Sequence, residues 1–272
     1  MAKSPNWSQE EIGFLTEFYP SMGIKWCASK LPLRTENAVN AAAYTLGIRK
    51  EEPRRFIRYF KNIDTEEKAY WLGFLFADGC VSDIKVSLSQ SERCVIDRFQ
   101  NSVGCNYKVQ VIPRKEHTFG NGKKYISNTH YRVEISSIDM ANDLRKHGCV
   151  NNKSLILEYP EHLSETLKNH FARGYFDGDG CIHGNMFNEH IVIAGTASVV
   201  DGIAGSCPLS LKYSIHKSKN IYICHISNVQ AMKFMEWMYH DATIFLQRKK
   251  DKYESLARDR ESSKKGEWAR CY

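Results

Sequence analysis

The chain has 272 residues, of which 42% are apolar and 25% are charged, and its net charge is +7. This composition is typical of a globular protein, and the length allows one large domain and a small second one. No stretch approaches the roughly 18 apolar residues needed to cross a bilayer. No apolar signal core follows the first residue, so neither a membrane protein nor a secreted protein is expected.

The cysteines indicate the compartment. There are nine of them, an odd number, and no two have the two-residue spacing of a zinc knuckle or a redox pair. They are therefore expected to be free thiols in a reducing environment. We expect a cytoplasmic protein of a bacterial or phage-infected cell, with an organelle as the alternative.

The positive charge is concentrated at the two ends of the chain. Residues 1–60 carry nine Lys and Arg against six Asp and Glu, and residues 248–272 carry nine against five. The middle, residues 61–247, holds twenty of each. Basic ends favour a nucleic-acid partner, but an excess of this size does not specify one.

Residues 1–50 are predicted to form a small helical domain. Ser8, which has a glutamate three positions on, forms a capping box that begins a first helix. Pro20 and Gly23 break this helix, and two further helices are predicted over residues 25–31 and 36–46. Three short helices joined by tight turns are typical of a helix-turn-helix unit.

The third of these helices is predicted to expose residues small and polar enough to enter a major groove: Asn37, Asn40, Ala41 and Tyr44. The alternative is a three-helix bundle that binds protein. The segment resembles Myb/SANT-like helix-turn-helix modules in three stretches, Trp7-Ser8-Gln9-Glu10-Glu11, Ala38-Val39 and Leu46-Gly47. This resemblance implies a DNA-binding module.

A basic and aromatic linker is predicted over residues 51–61. It contains Arg54, Arg55 and Arg58, and a like-charged segment of this kind stays extended and can follow phosphates. A solvated tether anchored by its aromatic residues is the alternative.

The rest of the chain contains an internal repeat. The stretch Gly73-Phe74-Leu75-Phe76-Ala77-Asp78-Gly79-Cys80-Val81 returns 101 residues later as Gly174-Tyr175-Phe176-Asp177-Gly178-Asp179-Gly180-Cys181-Ile182. Each copy ends an apolar helix and is followed by a strand, a helix, a hairpin and a closing helix. We therefore predict an α+β fold, a duplicated αββαββα core with pseudo-twofold symmetry, beside the N-terminal helices. The two subdomains are expected over residues 62–150 and 151–272, the second with a basic C-terminal helix.

Asp78 and Asp179 end the two repeated helices. Small residues precede them with a spacing of four, which lets the two helices approach closely and would bring the two carboxylates together. Two carboxylates about 5 Å apart repel by roughly 3 kcal/mol at an effective dielectric near 20. Divalent cations would offset this repulsion, and hard oxygen ligands favour Mg²⁺. The alternative for either Asp-Gly pair alone is a simple turn.

Two nonamers resemble the motif of the LAGLIDADG homing endonucleases of the single-chain, two-motif kind: Trp71-Leu72-Gly73-Phe74-Leu75-Phe76-Ala77-Asp78-Gly79 and Ala172-Arg173-Gly174-Tyr175-Phe176-Asp177-Gly178-Asp179-Gly180. The resemblance continues in Asn152-Lys153-Ser154 and in the stretch from Tyr239 to Lys249. It implies that Asp78 and Asp179, with the carbonyls of Ala77 and Gly178, bind two or more Mg²⁺ or Mn²⁺ ions between the motif helices.

The resemblance also implies polar residues that order metal-bound water, and Gln90 and Thr196 stand in these places. Many members of the family carry a lysine ahead of the helix that closes each half. This chain has Ile138-Asp139 and Val229-Gln230 there instead. Lys153 is the remaining candidate for a catalytic cation, and a plain surface lysine is the alternative for it.

Alternating polar residues on the predicted strands form the expected DNA-binding face. Alternation by itself indicates a half-solvated sheet, and the resemblance implies that this face lies in a major groove. The positions are Lys85, Ser87, Ser89, Lys108, Gln110 and Arg132 in the first half, and Lys212, Ser214 and His216 in the second.

The sequence thus predicts a homing-type endonuclease, typical of mobile introns, that acts as a monomer and cuts both strands of a long asymmetric duplex DNA site. A DNA-binding regulator of the same fold is one alternative, although loss of the metal-binding acids would be expected there. An intron maturase that binds intron RNA is the other. His183 and His190, which flank Asn188, are not expected to form a second nuclease site, because they fall in a predicted turn.

Overall fold

A computed structural model describes residues 6–48, 58–118, 122, 124–185 and 187–269. The chain divides into two compact units, Met1–Arg54 and Arg55–Tyr272. Arg54 and Arg55 of the predicted linker lie outside the described residues.

The N-terminal unit is helical. Helix α1 spans Gln9–Lys30 with a kink at Gly23, whose φ of 74° is a left-handed conformation that glycine adopts without a steric cost. Helix α2 spans Glu36–Thr45. The kink separates α1 into the first two predicted helices, so the prediction of three helical segments is confirmed. The predicted capping box is present, with the Ser8 N–H donating to Glu11 Oε2 at 2.9 Å.

The large unit begins with the first predicted subdomain, which has three helices and six strands among its described residues. These are α3 (Glu66–Asp78), β1 (Gly79–Val81), β2 (Lys85–Gln90), α4 (Arg93–Val103), β3 (Gln110–Ile112), β4 (Glu116–Thr118), β5 (Lys124–Ile126), β6 (His130–Ser136) and α5 (Ile138–Lys146). Strands β1-β2-β6-β3 form an antiparallel sheet in that order, and β4 and β5 form a separate hairpin.

The second half repeats the same order of elements. A short 3-10 turn at Lys153–Leu155 precedes it. Its elements are α6 (Glu165–Asp179), β7 (Gly180–His183), β8 (His190–Gly195), α7 (Ala197–Gly205), β9 (Ser214–Ser218), β10 (Ile221–Ser227) and α8 (Val229–Tyr239), followed by α9 (Gln247–Ala269). Its sheet has the order β7-β8-β10-β9, which matches that of the first half. The predicted duplicated α+β core is confirmed.

Helices α3 and α6 pack against each other backbone to backbone. A Cβ atom at Gly73 would overlap the carbonyl oxygen of Phe171, and one at Gly174 would overlap the carbonyl oxygen of Tyr70. Glycine is therefore the residue that this helix crossing requires, since any side chain would force the backbones apart.

Buried polar groups also join the two halves. Arg173 of α6 is fully buried and donates to the Met238 and Ile244 carbonyls at 2.6 and 2.8 Å and to Glu66 of α3 at 2.7 Å. Asp177 is buried beside it and accepts from Tyr70 Oη at 3.0 Å. A buried charge is tolerated only where it is paired and hydrogen-bonded, so this network specifies how α6 lies on α3.

Among the described helices, none is both long enough and apolar enough to span a membrane. The eight cysteines that the structure describes are free thiols, as the sequence predicts.

Candidate active site

Asp78 and Asp179 are the last residues of α3 and α6, where the two helices meet. A Cβ atom placed on Gly178 would lie 3.0 Å from Asp78 Oδ2 and would overlap the Cβ atom of Ala77. The two helix ends are thus in direct contact, as the four-residue spacing of small residues predicts. Asp78 is half-buried, and Asp179 faces solvent on one side.

Protein packed around the two carboxylates disfavours their charged forms. Burial raises the pKa of Asp78, against which the hydrogen bond from Gln90 acts. Burial and the nearby charge of Asp78 raise the pKa of Asp179 to about 6. Burial disfavours the charged form of both acids, and the like charge of Asp78 adds to the shift at Asp179. Groups perturbed in this way often belong to functional sites.

Two lysines bind the C-terminal carbonyls of the motif helices. Lys153 Nζ donates to the carbonyls of Phe76, at 2.6 Å, and Ala77. Lys249 Nζ donates to the carbonyls of Asp177, at 2.9 Å, and Gly180, at 2.6 Å. These ammonium groups satisfy carbonyls that lack partners within the helix and offset the negative end of each helix dipole.

Both lysines are buried, and burial lowers the pKa of Lys249 to about 8. Sequence reasoning found Lys153 but not Lys249. The signal was present, because each lysine follows the closing helix of its half: Lys153 lies seven residues beyond the end of α5, and Lys249 lies ten residues beyond the end of α8. Neither lies ahead of the closing helix, where the family resemblance implies a lysine.

The polar residue that faces the carboxylates differs between the two halves. Gln90 ends β2, and its amide donates to Asp78 Oδ2. In the first sheet Gly79 pairs with Leu88, and in the second Gly180 pairs with Ile193. The residue two positions beyond Leu88 is Gln90, and the residue two positions beyond Ile193 is Gly195.

Thr196 therefore stands one residue beyond the position equivalent to Gln90. The prediction that Gln90 and Thr196 occupy equivalent positions in the two halves is wrong by this one residue. Its hydroxyl donates to the Leu157 carbonyl at 2.6 Å and accepts from the Val199 N–H at 3.2 Å, which caps α7. One residue of shift turns a strand side chain to the opposite face. The Thr196 hydroxyl caps α7 as a result, although the residue still lines the cavity beside Asp179 and Lys153.

Tyr175 fills the space that a side chain at Gly195 would occupy. A Cβ atom on Gly195 would overlap the Tyr175 hydroxyl, which donates to the Ala194 carbonyl at 2.9 Å. Burial and the charges of Asp179 and Asp78 raise the Tyr175 pKa strongly, so the hydroxyl stays protonated beside both acids. A cavity of about 190 Å³ opens beside Tyr175, Asp179 and Lys153.

The donor set of this site fits a hard divalent cation. Asp78 and Asp179 would hold it, and its positive charge would offset both the burial of the two carboxylates and the repulsion from Asp78 that helps to raise the pKa of Asp179. Within the described residues no group of three or more His, Cys, Asp or Glu side chains is placed to bind a metal. A cation held here would take two carboxylates from the protein, and water or phosphate oxygens would complete its coordination, as Mg²⁺ prefers. The Ala77 carbonyl, a predicted ligand, accepts a hydrogen bond from Lys153.

The outer face of the first sheet carries the predicted polar residues, but Ser87 is buried there and is not open to a ligand, contrary to the prediction. Ser87 and Ser89 pair across the strands with Glu134 and Arg132, and Arg132 forms an ion pair with Glu134 at 2.7 Å. Lys85 lies 3.8 Å from the same glutamate. Gln110 pairs with Arg132 at the edge of the sheet, and Lys108 is exposed just before β3.

The second sheet and the N-terminal unit expose most of the remaining predicted residues. Ser214 and His216 are exposed on β9, and Lys212 is exposed in the segment before that strand. Asn37 and Tyr44 are exposed on α2. Asn40, on the same helix, accepts a hydrogen bond from Tyr19 at 3.4 Å.

Arg58 differs from the expectation of an open phosphate contact. Its guanidinium lies 3.4 Å from Asp139 and 3.2 Å from the buried Asp143, both on α5. The ion pairs partly neutralise its charge and hold it on the large unit.

The raised pKa of Asp179 predicts how metal-dependent activity varies with pH. A carboxylate binds a cation only when deprotonated, so the competent fraction falls as pH drops through about 6. We expect the cleavage rate to be level above about pH 7 and to fall about tenfold per pH unit below the pKa. The measurement is a pH–rate profile at an Mg²⁺ concentration below saturation, because saturating metal would itself displace the proton from the carboxylate. A rate that stays level down to about pH 4.5 would contradict the assignment of Asp179.

No family model matches the chain. The DNA-directed RNA polymerase subunit Rpo1C of Methanocaldococcus jannaschii is 27% identical over 194 residues, which is 69% of this chain and 20% of that protein. The chain therefore spans about a fifth of the length of the curated relative it matches.

The solved structures similar to this chain include LAGLIDADG proteins. The LAGLIDADG meganuclease I-AabMI bound to uncleaved DNA is 12% identical with a TM-score of 0.45, over 71% of this chain and 91% of that one. Full-length WhiA from Thermatoga maritima is 16% identical with a TM-score of 0.43, over 75% of this chain and 65% of that one. A fold does not specify an activity, so the activity has to be inferred from the side chains of this chain.

Proposed function

We propose that the protein is a divalent-metal-dependent endonuclease that cuts both strands of a long, asymmetric duplex DNA site. The observation that carries this proposal is the contact between the ends of α3 and α6, which holds Asp78 and Asp179 together at a cost in stability. Two carboxylates at adjoining helix C-termini are unfavourable without a cation. Their retention in both repeats is the reason to prefer cleavage over DNA binding alone.

Each residue of the site has a distinct task in this proposal. A bound divalent ion would activate water and stabilise the leaving oxygen of a phosphodiester. Asp78 and Asp179 hold that ion, and the Gln90 amide fixes the orientation of the Asp78 carboxylate. Lys153 and Lys249 bring positive charge to the helix ends, where a phosphate has to approach two carboxylates.

The large unit is proposed to bind duplex DNA along the outer faces of its two sheets. The first face carries Lys85, Arg132 and Gln110, which suit phosphate contacts and base edges. The two faces differ in sequence, so the preferred site would be asymmetric. One chain contains both halves of the site, which favours action as a monomer. In this proposal residues 1–50 form the N-terminal module, residues 51–61 the linker, and residues 62–150 and 151–272 the two halves of the nuclease.

The decisive experiment is cleavage of a DNA library that includes the sequence flanking the gene itself. Double-strand breaks at one site with Mg²⁺, and none with EDTA, would support the proposal. Selective binding of duplex DNA without any break, with Mg²⁺ or Mn²⁺ present, would favour the regulator. Selective binding of structured intron RNA with no duplex binding would favour the maturase.

Deleting residues 1–55 is expected to leave a folded, metal-dependent nuclease that binds its site more weakly. The residues of the candidate active site all lie beyond residue 61, so the chemistry does not need the N-terminal helices. Each phosphate that the truncated form no longer neutralises should lower the slope of log affinity against log salt by about 0.9. Footprints of the full-length and truncated forms on one duplex, over a salt series, measure both effects.

A full-length variant with Arg54→Ala and Arg55→Ala is the control for the deletion, because it separates the effect of the linker from that of the helices. If α2 also reads bases, the truncated enzyme alone should tolerate changes at one end of the site. An identical footprint and salt slope in all three forms would instead favour a protein partner for the N-terminal unit.

A further inference from the structure

The outer face of the second sheet is lined with histidines. His183 of β7 and His190 of β8 are cross-strand partners, and their rings stack with centroids 5.1 Å apart. His216 of β9 and His225 of β10 stack in the same way at 4.9 Å. Four of the ten histidines of the chain thus share one face, which we call the histidine face.

This face points away from the helices. Its neighbours on β8 and β10, Ile191, Ile193, Cys224 and Ile226, are fully buried on the opposite side. His183 and His216 are exposed, and His190 and His225 are half-buried. A ligand in solution can therefore reach all four rings along the same side of the sheet.

Fixed charges are scarce at the strand positions of the histidine face. The other described residues in outward register are Cys181, Val192, Ala194, Ser214, Ser218, Ile221, Ile223 and Ser227, and none is an acid. Among the charged groups around it, Asp179 precedes β7, Lys212 precedes β9, Lys217 lies over the Tyr222 ring, and Lys219 is in the β9–β10 turn. At the other end, Arg260 of α9 is paired with the buried Glu189 at 2.6 Å.

The first sheet differs at the equivalent positions. Its outer face carries Lys85, Arg132 and Glu134, whose charges are fixed at neutral pH. The two sheets have the same strand order, so a ligand that spans both meets equivalent strand positions on each. The strand positions of the first face therefore carry permanent charges beside one histidine, His130, whereas at the strand positions of the second face a positive charge can come only from imidazole.

We propose that the histidine face binds the phosphate backbone and base edges of duplex DNA through protonated imidazoles, so that DNA binding by the second half takes up protons. This inference rests on the proposed DNA-binding function and names its regulation by pH. Stacked neutral rings have little attraction for a polyanion. Protonated rings repel one another, and a phosphate backbone laid across them offsets that repulsion.

The direction of the pH effect follows from the environment of the rings. Burial and the neighbouring His216, His190 and His183 lower the pKa of His225 in the free protein, which keeps it neutral near pH 7. A polyanion raises the pKa of a histidine that it contacts. The contribution to affinity is therefore present at low pH and is lost as pH rises through the value in the complex.

The test uses the full chain and a 40-bp duplex of arbitrary sequence, without divalent metal so that no cleavage occurs. Each linked proton changes affinity by up to tenfold per pH unit, so we expect binding to tighten at least about tenfold between about pH 8 and about pH 6. Calorimetry of the wild type in two buffers of different ionisation enthalpy should show net proton uptake of about one or more. This second measurement does not depend on any variant.

Substitutions of the histidines test whether the protons taken up on DNA binding go to the histidine face. His216→Gln with His225→Gln should flatten the pH dependence, and His216→Lys should bind more tightly than wild type near pH 8, where its charge is fixed. The control is His147→Gln with His162→Gln, which removes a stacked pair that lies on neither sheet and should retain the pH dependence. All of these variants keep Asp78 and Asp179. A pH dependence that came from protonation of those two acids would therefore survive in the His216 and His225 variant.

The outcomes separate this inference from the proposed function. Binding that is tight but equal at both pH values, or pH dependence that survives in the His216 and His225 variant, overturns the role of the histidine face and leaves the nuclease proposal standing. Failure to bind duplex DNA at any pH overturns both.

Discussion

Replacing Asp78 or Asp179 by asparagine is expected to abolish double-strand cleavage while leaving DNA binding intact or tighter. The amide keeps the shape of the carboxylate but removes the charge that a cation requires. Metal ions contribute several kcal/mol of transition-state stabilisation, so the rate should fall on the order of 10³-fold or more. Binding should not weaken, because an anion at the meeting point of α3 and α6 opposes the approach of phosphate.

The measurement is the single-turnover cleavage rate of each variant on its identified site, with binding measured in parallel by gel shift. Asp97→Asn is the matched control, since Asp97 is exposed on α4 in an ion pair with Arg93 at 3.1 Å. This control variant should cleave at the wild-type rate. A variant carrying both Asp78→Asn and Asp179→Asn that still cuts at the wild-type rate would remove these residues from the mechanism.

Gly174→Leu is expected to unfold the large unit or to destabilise it severely. A side chain at this position would overlap the Tyr70 carbonyl and crowd the Phe74 nitrogen, and backbone atoms in a helix cannot move aside as flexible side chains can. The two motif helices would have to separate and take apart the network around Arg173. Overpacking of this kind costs about 3 kcal/mol or more, which lowers the melting temperature by roughly 6–12 °C for a unit of this size.

Thermal unfolding followed by circular dichroism measures this effect. Gly205→Ala is the matched control, because Gly205 is also helical, in α7, and its Cβ would meet only the Tyr213 hydroxyl at an ordinary 3.7 Å. The control should shift the free energy of unfolding by less than about 1 kcal/mol. Unchanged melting of the Gly174 variant would mean that the helices do not meet at this glycine.

Much of the fold could be predicted because local signals and the repeat agreed. The capping residue Ser8 begins its helix as expected, and the helix predicted over residues 36–46 is found at Glu36–Thr45. The second copy of the motif supported the interpretation of the first. A simple turn explains one Asp-Gly pair, but it does not explain two pairs that follow equivalent helices. The small two-stranded hairpin of β4 and β5 was predicted only as part of a longer hairpin, because its three-residue strands are too short to show a clear alternation.

The site was predicted less completely than the fold. Lys249 was missed because no local pattern shows that its ammonium group binds the carbonyls at the end of α6. Tyr175 was missed because its phenylalanine counterpart, Phe74, is apolar, so the repeat concealed the extra hydroxyl. Thr196 was matched to Gln90 by its place after a strand, whereas the pairing of Gly180 with Ile193 gives that place to Gly195.

The sequence by itself determined the duplication, the two terminal aspartates of the motif helices and the glycines between those helices, because each is a local pattern or a repeat of one. Only the tertiary structure decided which carbonyls the two lysines bind, which hydroxyl lies beside the acids, and that four histidines share one sheet face. These relations depend on strand register and helix crossing, and a one-residue change in register exchanges the two faces of a strand. Register is fixed by packing across the whole core, which no local pattern in the chain encodes.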